Sequence, residues 1–431
     1  MRKEKKPLHW VKLDNAAKIY PAVRQKSWSN LFRQSVTLRE EVDVAVLEKA
    51  LEVVVKRFPS IAARLRKGAF WYYLQQVAEP PKIREEYSYP LVPMGKEEMR
   101  KCAFRVIVYK ERIAVEFFHA LTDGSGAMVF LKNLVAEYLE QKHGIRIPFE
   151  HGILDRTEPP KPEEMEDCFP KNAGPVAVSR KDTDAWRMQE ATREEDFHHM
   201  TCLQLPVQET LAAAHKYKAT MTVFLSALMM QALANAQKDM VPEGKTRERI
   251  KLLIPINLRN LFPSSTLRNF AMYTVPELDP RLGEYTLEEI IKIVQAKMAL
   301  EFTPKYMSGV IATNVRDEEN PFLRIVPLPI KNMVMRAVFN SVGEKKSCLS
   351  FSNLGQVKVP EIMAGYIRRF DFILGVQATA PYNCGMLSYE DTIYINFIRN
   401  IREPALERHF YQLLQQQGLP VTVESNQRRD T

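Results

Sequence analysis

The sequence predicts an α/β (α+β) two-layer sandwich built as two lobes, and three observations carry that prediction. Alternating apolar runs of strand length adjoin apolar stripes of helical spacing, the pattern of helices laid on one face of a sheet. A polar, proline-rich stretch from Asp155 to His199 interrupts the pattern. Beyond it the succession of strand, helix and strand begins again. The division read from this is a first lobe at 1–155, a crossover at 156–199 and a second lobe at 200–431.

The opening segment, His9 to Pro21, mixes aromatic anchors with a proline stop. Trp28 to Leu38 alternates as a strand. Val42, Val46, Leu47, Ala50, Leu51 and Val54 form a helical stripe. Pro59 closes it, because proline disfavours helix at the residue before it. Ile61–Leu65 and Phe70–Leu74 flank Lys67-Gly68 as a hairpin. Strands follow at Phe104–Val108 and Arg112–Phe117, then an apolar helix-like run from Ala127 to Leu139. The connection around Pro159, Pro160 and Pro162 is of a length that is either a functional crossover or mobile. After it come a strand at Thr201–Leu205 and helices at Val207–Tyr217 and Thr220–Lys238. A strand at Lys251–Ile256 and a helix at Thr286–Phe302 follow. Strands at Ser347–Phe351 and Thr392–Ile398 and a helix at Glu403–Gln417 close the chain. No short period repeats, which excludes a solenoid.

Composition narrows the function classes. With 45% hydrophobic and 26% charged residues the chain has the make-up of a soluble globular protein. Its 61 Lys and Arg against 52 Asp and Glu give +9, scattered except for a small cluster at Met1–Lys6. Such a balance solubilises a surface and favours an anionic ligand or acidic partner. No basic helix or aromatic-basic alternation appears, so nucleic acid is not expected as a partner. Cys102, Cys168, Cys202, Cys348 and Cys384 lie far apart without metal-ligand spacing. That predicts free thiols in a reducing cytosol and no metal. The N-terminus lacks the apolar run of a signal peptide. The most apolar stretch, Thr222 to Ala236, falls short of the ~20 residues that span a bilayer. A cytoplasmic protein without a transmembrane segment is expected, and a monomer, since one chain supplies both lobes.

The chemistry centres on Phe117-Phe118-His119-Ala120-Leu121-Thr122-Asp123-Gly124-Ser125-Gly126. A histidine at the end of a strand, a tight glycine turn and then a helix present one imidazole in a fixed direction. Histidine takes up and returns a proton near neutral pH, and a positioned base contributes roughly 10²–10⁴-fold to a rate. Asp123 invites a triad reading in which its carboxylate orients the ring. Gly124 and Gly126 permit backbone conformations closed to other residues and a close approach to the chain. Ser125 is expected to cap the helix through its hydroxyl. Phe117, Phe118, Trp71, Tyr72 and Tyr73 are either core or the lining of a hydrophobic acceptor site.

The spacing His119-x-x-x-Asp123-Gly124 resembles the active-site signature of the chloramphenicol-acetyltransferase-like superfamily. Its acyl-CoA-dependent acyltransferases include plant BAHD enzymes, alcohol acetyltransferases and the condensation domains of peptide synthetases. The resemblance implies two similar lobes with a tunnel between them. Acyl-CoA would enter as co-substrate from one face and a small-molecule alcohol or amine acceptor from the other, with His119 as general base. It also implies that Asp123 turns away from the ring and pairs with Arg259, in the block Pro255–Pro263 that precedes Leu267-Arg268-Asn269-Phe270. Ser350-Phe351-Ser352-Asn353-Leu354-Gly355 is similar to a Ser-Asn-Leu-Gly segment that lines the tunnel. Ser352, Asn353 and Asn269 are thus the oxyanion and tunnel candidates. Asp371-Phe372-Ile373-Leu374-Gly375 matches the BAHD Asp-Phe-Gly-Trp-Gly motif only in part. The closest branch is the stand-alone bacterial alcohol acetyltransferase-like one. Two alternatives stand beside it: a condensation or acyl-release domain served by an acyl carrier protein, and a non-catalytic protein of the same fold.

Overall fold

A computed structural model describes residues 9–24, 30–178, 183–188, 194, 197–319, 324–339, 346–376 and 380–427. The basic cluster at Met1–Lys6 and Trp28 lie outside the described residues. Among the described residues three sheets organise the chain. The first has the order 367–374, 31–38, 112–118, 104–109, 84–85. The second runs 271–274, 250–257, 349–357, 382–389, 392–399, 199–206, 422–425, with Glu277–Leu278 also paired to 250–257. The third is small, with Tyr72–Gln76 between Trp10–Lys12 and Ala63–Lys67.

Helices Val44–Arg57 and Gly124–His143 pack on each other beside the first sheet. Asp43 starts the former by accepting the Val46 N–H at 3.1 Å, and Leu47, Ala50, Leu51, Val54 and Val55 form its buried stripe. The pleat puts Phe32, Phe104 and Phe117 on one face of the sheet, where Phe117 and Phe104 meet Phe130 of the second helix edge to face. The second sheet carries Val207–Lys216, Met221–Met240, Leu287–Glu301 and Ala405–Gln416. Its core, built on Phe224, Leu228, Phe351, Phe397 and Phe410, is separate from the first. Thr286 and Glu289 cap Leu287–Glu301 reciprocally.

One late strand belongs to the early sheet. Ile367–Leu374 pairs antiparallel with Leu31–Leu38, Phe372 opposite Gln34. The partial motif that ends it sits at this exchange point, where a side chain at Gly375 would strike the Leu31 carbonyl. Described residues of the crossover tie back to the first lobe, since Arg57 makes a two-pronged ion pair with Glu164 at 2.6 and 2.8 Å. Among the described residues no single helix is long and apolar enough to cross a membrane. The bent pair Val207–Lys216 and Met221–Met240 passes that test only jointly, and the longer helix is mostly buried in the second core. The five cysteines are free and buried.

Candidate active site

The strand Arg112–Phe118 delivers His119 to the junction of the two lobes. Its backbone N–H donates to the Asn30 carbonyl at 2.9 Å, so the residue leaves the sheet in a fixed direction. The ring stacks on Tyr20 with centroids 4.7 Å apart and rests against Phe32 at 4.9 Å. It is partly buried and not sealed in the core. Nδ1 lies 3.1 Å from Asn269 Oδ1.

The tautomer follows from the group behind. Asn269 Nδ2 donates to Asp14 Oδ2 at 3.2 Å. Asp14 is fully buried, accepts the Ala17 N–H at 2.8 Å and has the Arg268 guanidinium 3.5 Å away. Burial raises the Asp14 pKa against these donors; as a carboxylate Asp14 accepts, which turns the Asn269 carbonyl oxygen toward the ring. Nδ1 therefore carries the proton and donates, leaving the Nε2 lone pair without a partner among the described residues. Burial pushes the His119 pKa below the ordinary histidine value; its own backbone, the Asp123 charge and Asn269 oppose this without reversing it. The imidazole is neutral at neutral pH.

Asp123 does not touch the imidazole. Oδ1 accepts the Ser125 and Gly126 N–H groups at 3.1 and 3.0 Å, capping the helix Gly124–His143. Oδ2 accepts from Arg259 Nη1 at 2.7 Å and from the Phe270 N–H at 2.9 Å. With both oxygens used elsewhere, Asp123 does not make the contact with the ring that the triad reading expects. Arg259 in turn donates to the carbonyls of Thr266 and Arg268. One carboxylate thus joins the start of the His119 helix to the segment that presents Asn269.

The neighbouring residues are also corrected. Ser125 does not cap the helix; its hydroxyl accepts from Asn257 Nδ2 at 3.0 Å. Neither Gly124 nor Gly126 has a positive φ. What Gly126 supplies is room, because a Cβ there would overlap the Leu267 carbonyl oxygen and the Thr122 hydroxyl. At Gly124 a Cβ would meet only the flexible Leu354 side chain, at 2.6 Å. Gly126→Ala is therefore expected to destabilise the protein by about 1–3 kcal/mol in chemical denaturation, and Gly124→Ala by less. Equal stability of Gly126→Ala and wild type would show that this close approach is absent.

Asn353 is occupied, donating to Thr222 Oγ1 at 3.0 Å and accepting the Gly355 N–H at 2.7 Å. Ser352 is buried on the same strand, and its hydroxyl has no partner among the described residues. No family model and no curated protein matches the sequence. Solved structures do match along nearly its whole length. TRI3 trichothecene 15-O-acetyltransferase from Fusarium sporotrichioides aligns over 96% of each chain at 10% identity and a TM-score of 0.60. TRI101 of F. sporotrichioides, solved with coenzyme A and T-2, aligns over 94% of this chain and 97% of its own, at 10% identity and 0.60. The condensation domain of the Monacolin K polyketide synthase MokA aligns over 96% and 97%, at 11% identity and 0.58. The chain has the fold of these acetyltransferases and condensation domains.

Within this acyltransferase and condensation-domain fold two clefts are prominent, and His119 lines neither. One, of about 640 Å³, opens between the lobes and is walled by Arg33, Arg369, Asp371, Cys202 and Asn396. The other, of about 690 Å³, is walled by Trp10, Lys12, Lys18, Trp71, Tyr73 and Arg324. Trp71, Tyr72 and Tyr73 thus line a cleft, whereas Phe117 and Phe118 are core. Among the described residues no cluster of three or more His, Cys, Asp or Glu could hold a metal ion. Tyr20 and Phe32 against the ring, and Asp14 behind Asn269, escape the sequence reading, because folding brings them there and no local spacing joins them to His119.

Proposed function

We propose that the protein transfers an acyl group from acyl-CoA to the hydroxyl or amine of a small-molecule acceptor, with His119 as general base. The observation that carries this reading is the imidazole at the lobe junction whose Nδ1 lies 3.1 Å from Asn269 Oδ1 while Nε2 has no partner among the described residues. Nε2 takes the proton of the acceptor as its oxygen or nitrogen bonds to the thioester carbonyl carbon. The C–S bond then breaks, and the imidazolium returns that proton to the departing thiolate. The thioester already carries its leaving group, so no serine or cysteine nucleophile is needed. Ser352 is the donor assigned to the developing oxyanion, where losing one donor costs about 10²–10³-fold. Asn353 and Arg259 hold the surrounding backbone and Gly124 begins the helix; none of them is assigned a contact with a reacting atom. One chain suffices as the working unit, since both lobes contribute to the site.

Mass spectrometry of products from a panel of acyl-CoAs with alcohols and amines tests the reading. A parallel arm offers the same acyl groups on a phosphopantetheinylated carrier protein. Transfer from acyl-CoA alone supports the proposal, and transfer from the carrier alone moves the protein to the condensation class. Transfer from neither sinks both. Because burial lowers the His119 pKa, the acid limb of kcat/KM is expected below pH ~6.5, the ordinary histidine value. An acid limb at or above that value would count against His119 as the base. The same shift has a stability consequence: the unfolded chain takes up this proton first, so the contribution is complete above pH ~6.5 and is lost as pH falls.

A further inference from the structure

The aromatic cleft has a rim that the proposed reaction does not use. Three segments meet there. Trp10–Lys12 pairs with Tyr72–Gln76, which pairs with Ala63–Lys67. The helix Leu328–Val338 docks on that hairpin: the Leu328 N–H donates to the Ala69 carbonyl, Lys331 Nζ donates to the Phe70 carbonyl at 3.0 Å, and Asn332 donates to the Tyr72 hydroxyl. Around this contact large apolar side chains stand in solvent, with Ile325 70%, Met333 67%, Trp10 65% and Ile330 51% exposed, and Val334 and Phe70 nearly half. Ile330, Met333, Val334 and Ala337 recur at i, i+3, i+4 and i+7, so one helix turns an apolar stripe outward.

Charge is concentrated in the same place. Residues 9–13, 63–78 and 324–339 contain seven basic residues and no acidic one; six of them are at least partly exposed, while Lys331 is buried over the Trp71 ring. Lys12 and Arg324 line the cleft without a partner among the described residues. The acid in its wall, Glu318, is already paired with Lys18. The sequence directly ahead of this region adds Arg2, Lys3, Lys5 and Lys6 against Glu4.

We propose that this face seats on an anionic lipid surface, with the cleft opening onto the headgroups. Exposed tryptophan, phenylalanine and aliphatic side chains among lysines and arginines combine shallow apolar insertion with attraction to negative headgroups. A second copy of the chain is disfavoured, because a two-fold contact would set this positive face against itself. Apart from Trp10, these exposed apolar groups lie outside the cleft, and they project from more than one element. That suits a fluid surface that moulds to them more than a folded acidic partner.

Sedimentation of the full chain with vesicles of phosphatidylcholine alone, or with about one third phosphatidylglycerol, tests the assignment. Partitioning is expected to be at least about tenfold stronger onto the anionic vesicles, at about fivefold for each basic side chain that reaches the surface. It should weaken as salt shortens the screening length. The exposed double variant Met333→Glu, Val334→Glu should lose at least about tenfold with an unchanged circular dichroism spectrum, and Lys67→Glu, on the hairpin turn, should lose a smaller factor. Equal partitioning onto both vesicles, or variants that bind like wild type, would overturn the proposal. So would a dimer in analytical ultracentrifugation that the double variant dissolves, or binding to an acidic carrier protein but not to vesicles. None of these readouts depends on acyl transfer, so the surface and the reaction stand or fall separately.

Discussion

His119→Ala is expected to lower kcat for acyl transfer by about 10²–10⁴-fold while leaving the fold intact. The magnitude is what one positioned base contributes, and no other described side chain is placed to replace it. Asp123 has both oxygens committed, and Asn269 presents an amide that cannot take a proton at neutral pH. The fold should survive because the ring is partly exposed and the ties that join the lobes lie elsewhere, in Asp123–Arg259, Thr122–Leu267 and Ser125–Asn257. What the alanine loses is the stacking on Tyr20 and the contact with Phe32. Product formation measured with the same donors, beside an unchanged circular dichroism spectrum, checks both halves. Added imidazole should restore part of the rate, since the vacated space lies beside Asn269 and Tyr20. An alanine variant that turns over like wild type would remove the enzyme reading altogether.

The sequence made this position legible because its signals are local. The alternation Arg112–Phe117 marks the strand and the apolar run from Ala127 marks the helix, and both are present; the glycines stand in the first turn of that helix, Gly124–His143, and not in a turn before it. The supports of His119 were not legible. Asp14 and Asn269 lie 255 residues apart, and only packing of the second lobe on the opening segment brings them together. Asn269 is expected at the oxyanion or the tunnel, and its side-chain oxygen lies 3.1 Å from His119 Nδ1. The cap differs for a local reason: Asp123 and Ser125 are both good capping types, and the helix starts at Gly124, before the apolar run that begins at Ala127. The strand Ile367–Leu374 was missed because its membership in the first sheet is a matter of topology, not of its own alternation. The hairpin shifted by two residues, to Ala63–Lys67 and Tyr72–Gln76, within the usual uncertainty of strand ends.

The other large effect is on stability. Asp123→Ala removes a carboxylate whose side chain is only 6% exposed and leaves Arg259, 15% exposed, without its acid at the lobe junction. Breaking such a pair costs about 3–5 kcal/mol, and losing the helix cap adds about 1 kcal/mol. Asp123→Asn keeps an oxygen for the Ser125 and Gly126 N–H groups and so should retain the cap while losing the charge. Its loss should be smaller than that of alanine. Arg259→Met should cost about as much as breaking the pair from the other side, since Asp123 would then be buried with only backbone donors. The double variant Asp123→Ala, Arg259→Met decides the matter. If the two side chains act on each other, it should lose clearly less than the two single losses combined, because neither charge is left behind unpaired. Chemical denaturation of the four proteins measures this directly. Strict additivity would mean that the 2.7 Å contact carries no coupling and that the lobes are joined by the surrounding backbone bonds alone. Asp123→Asn separates positioning from catalysis as well: the acid limb of kcat/KM should remain and move to lower pH, because the charge that is lost is one of the influences that hold the His119 pKa up.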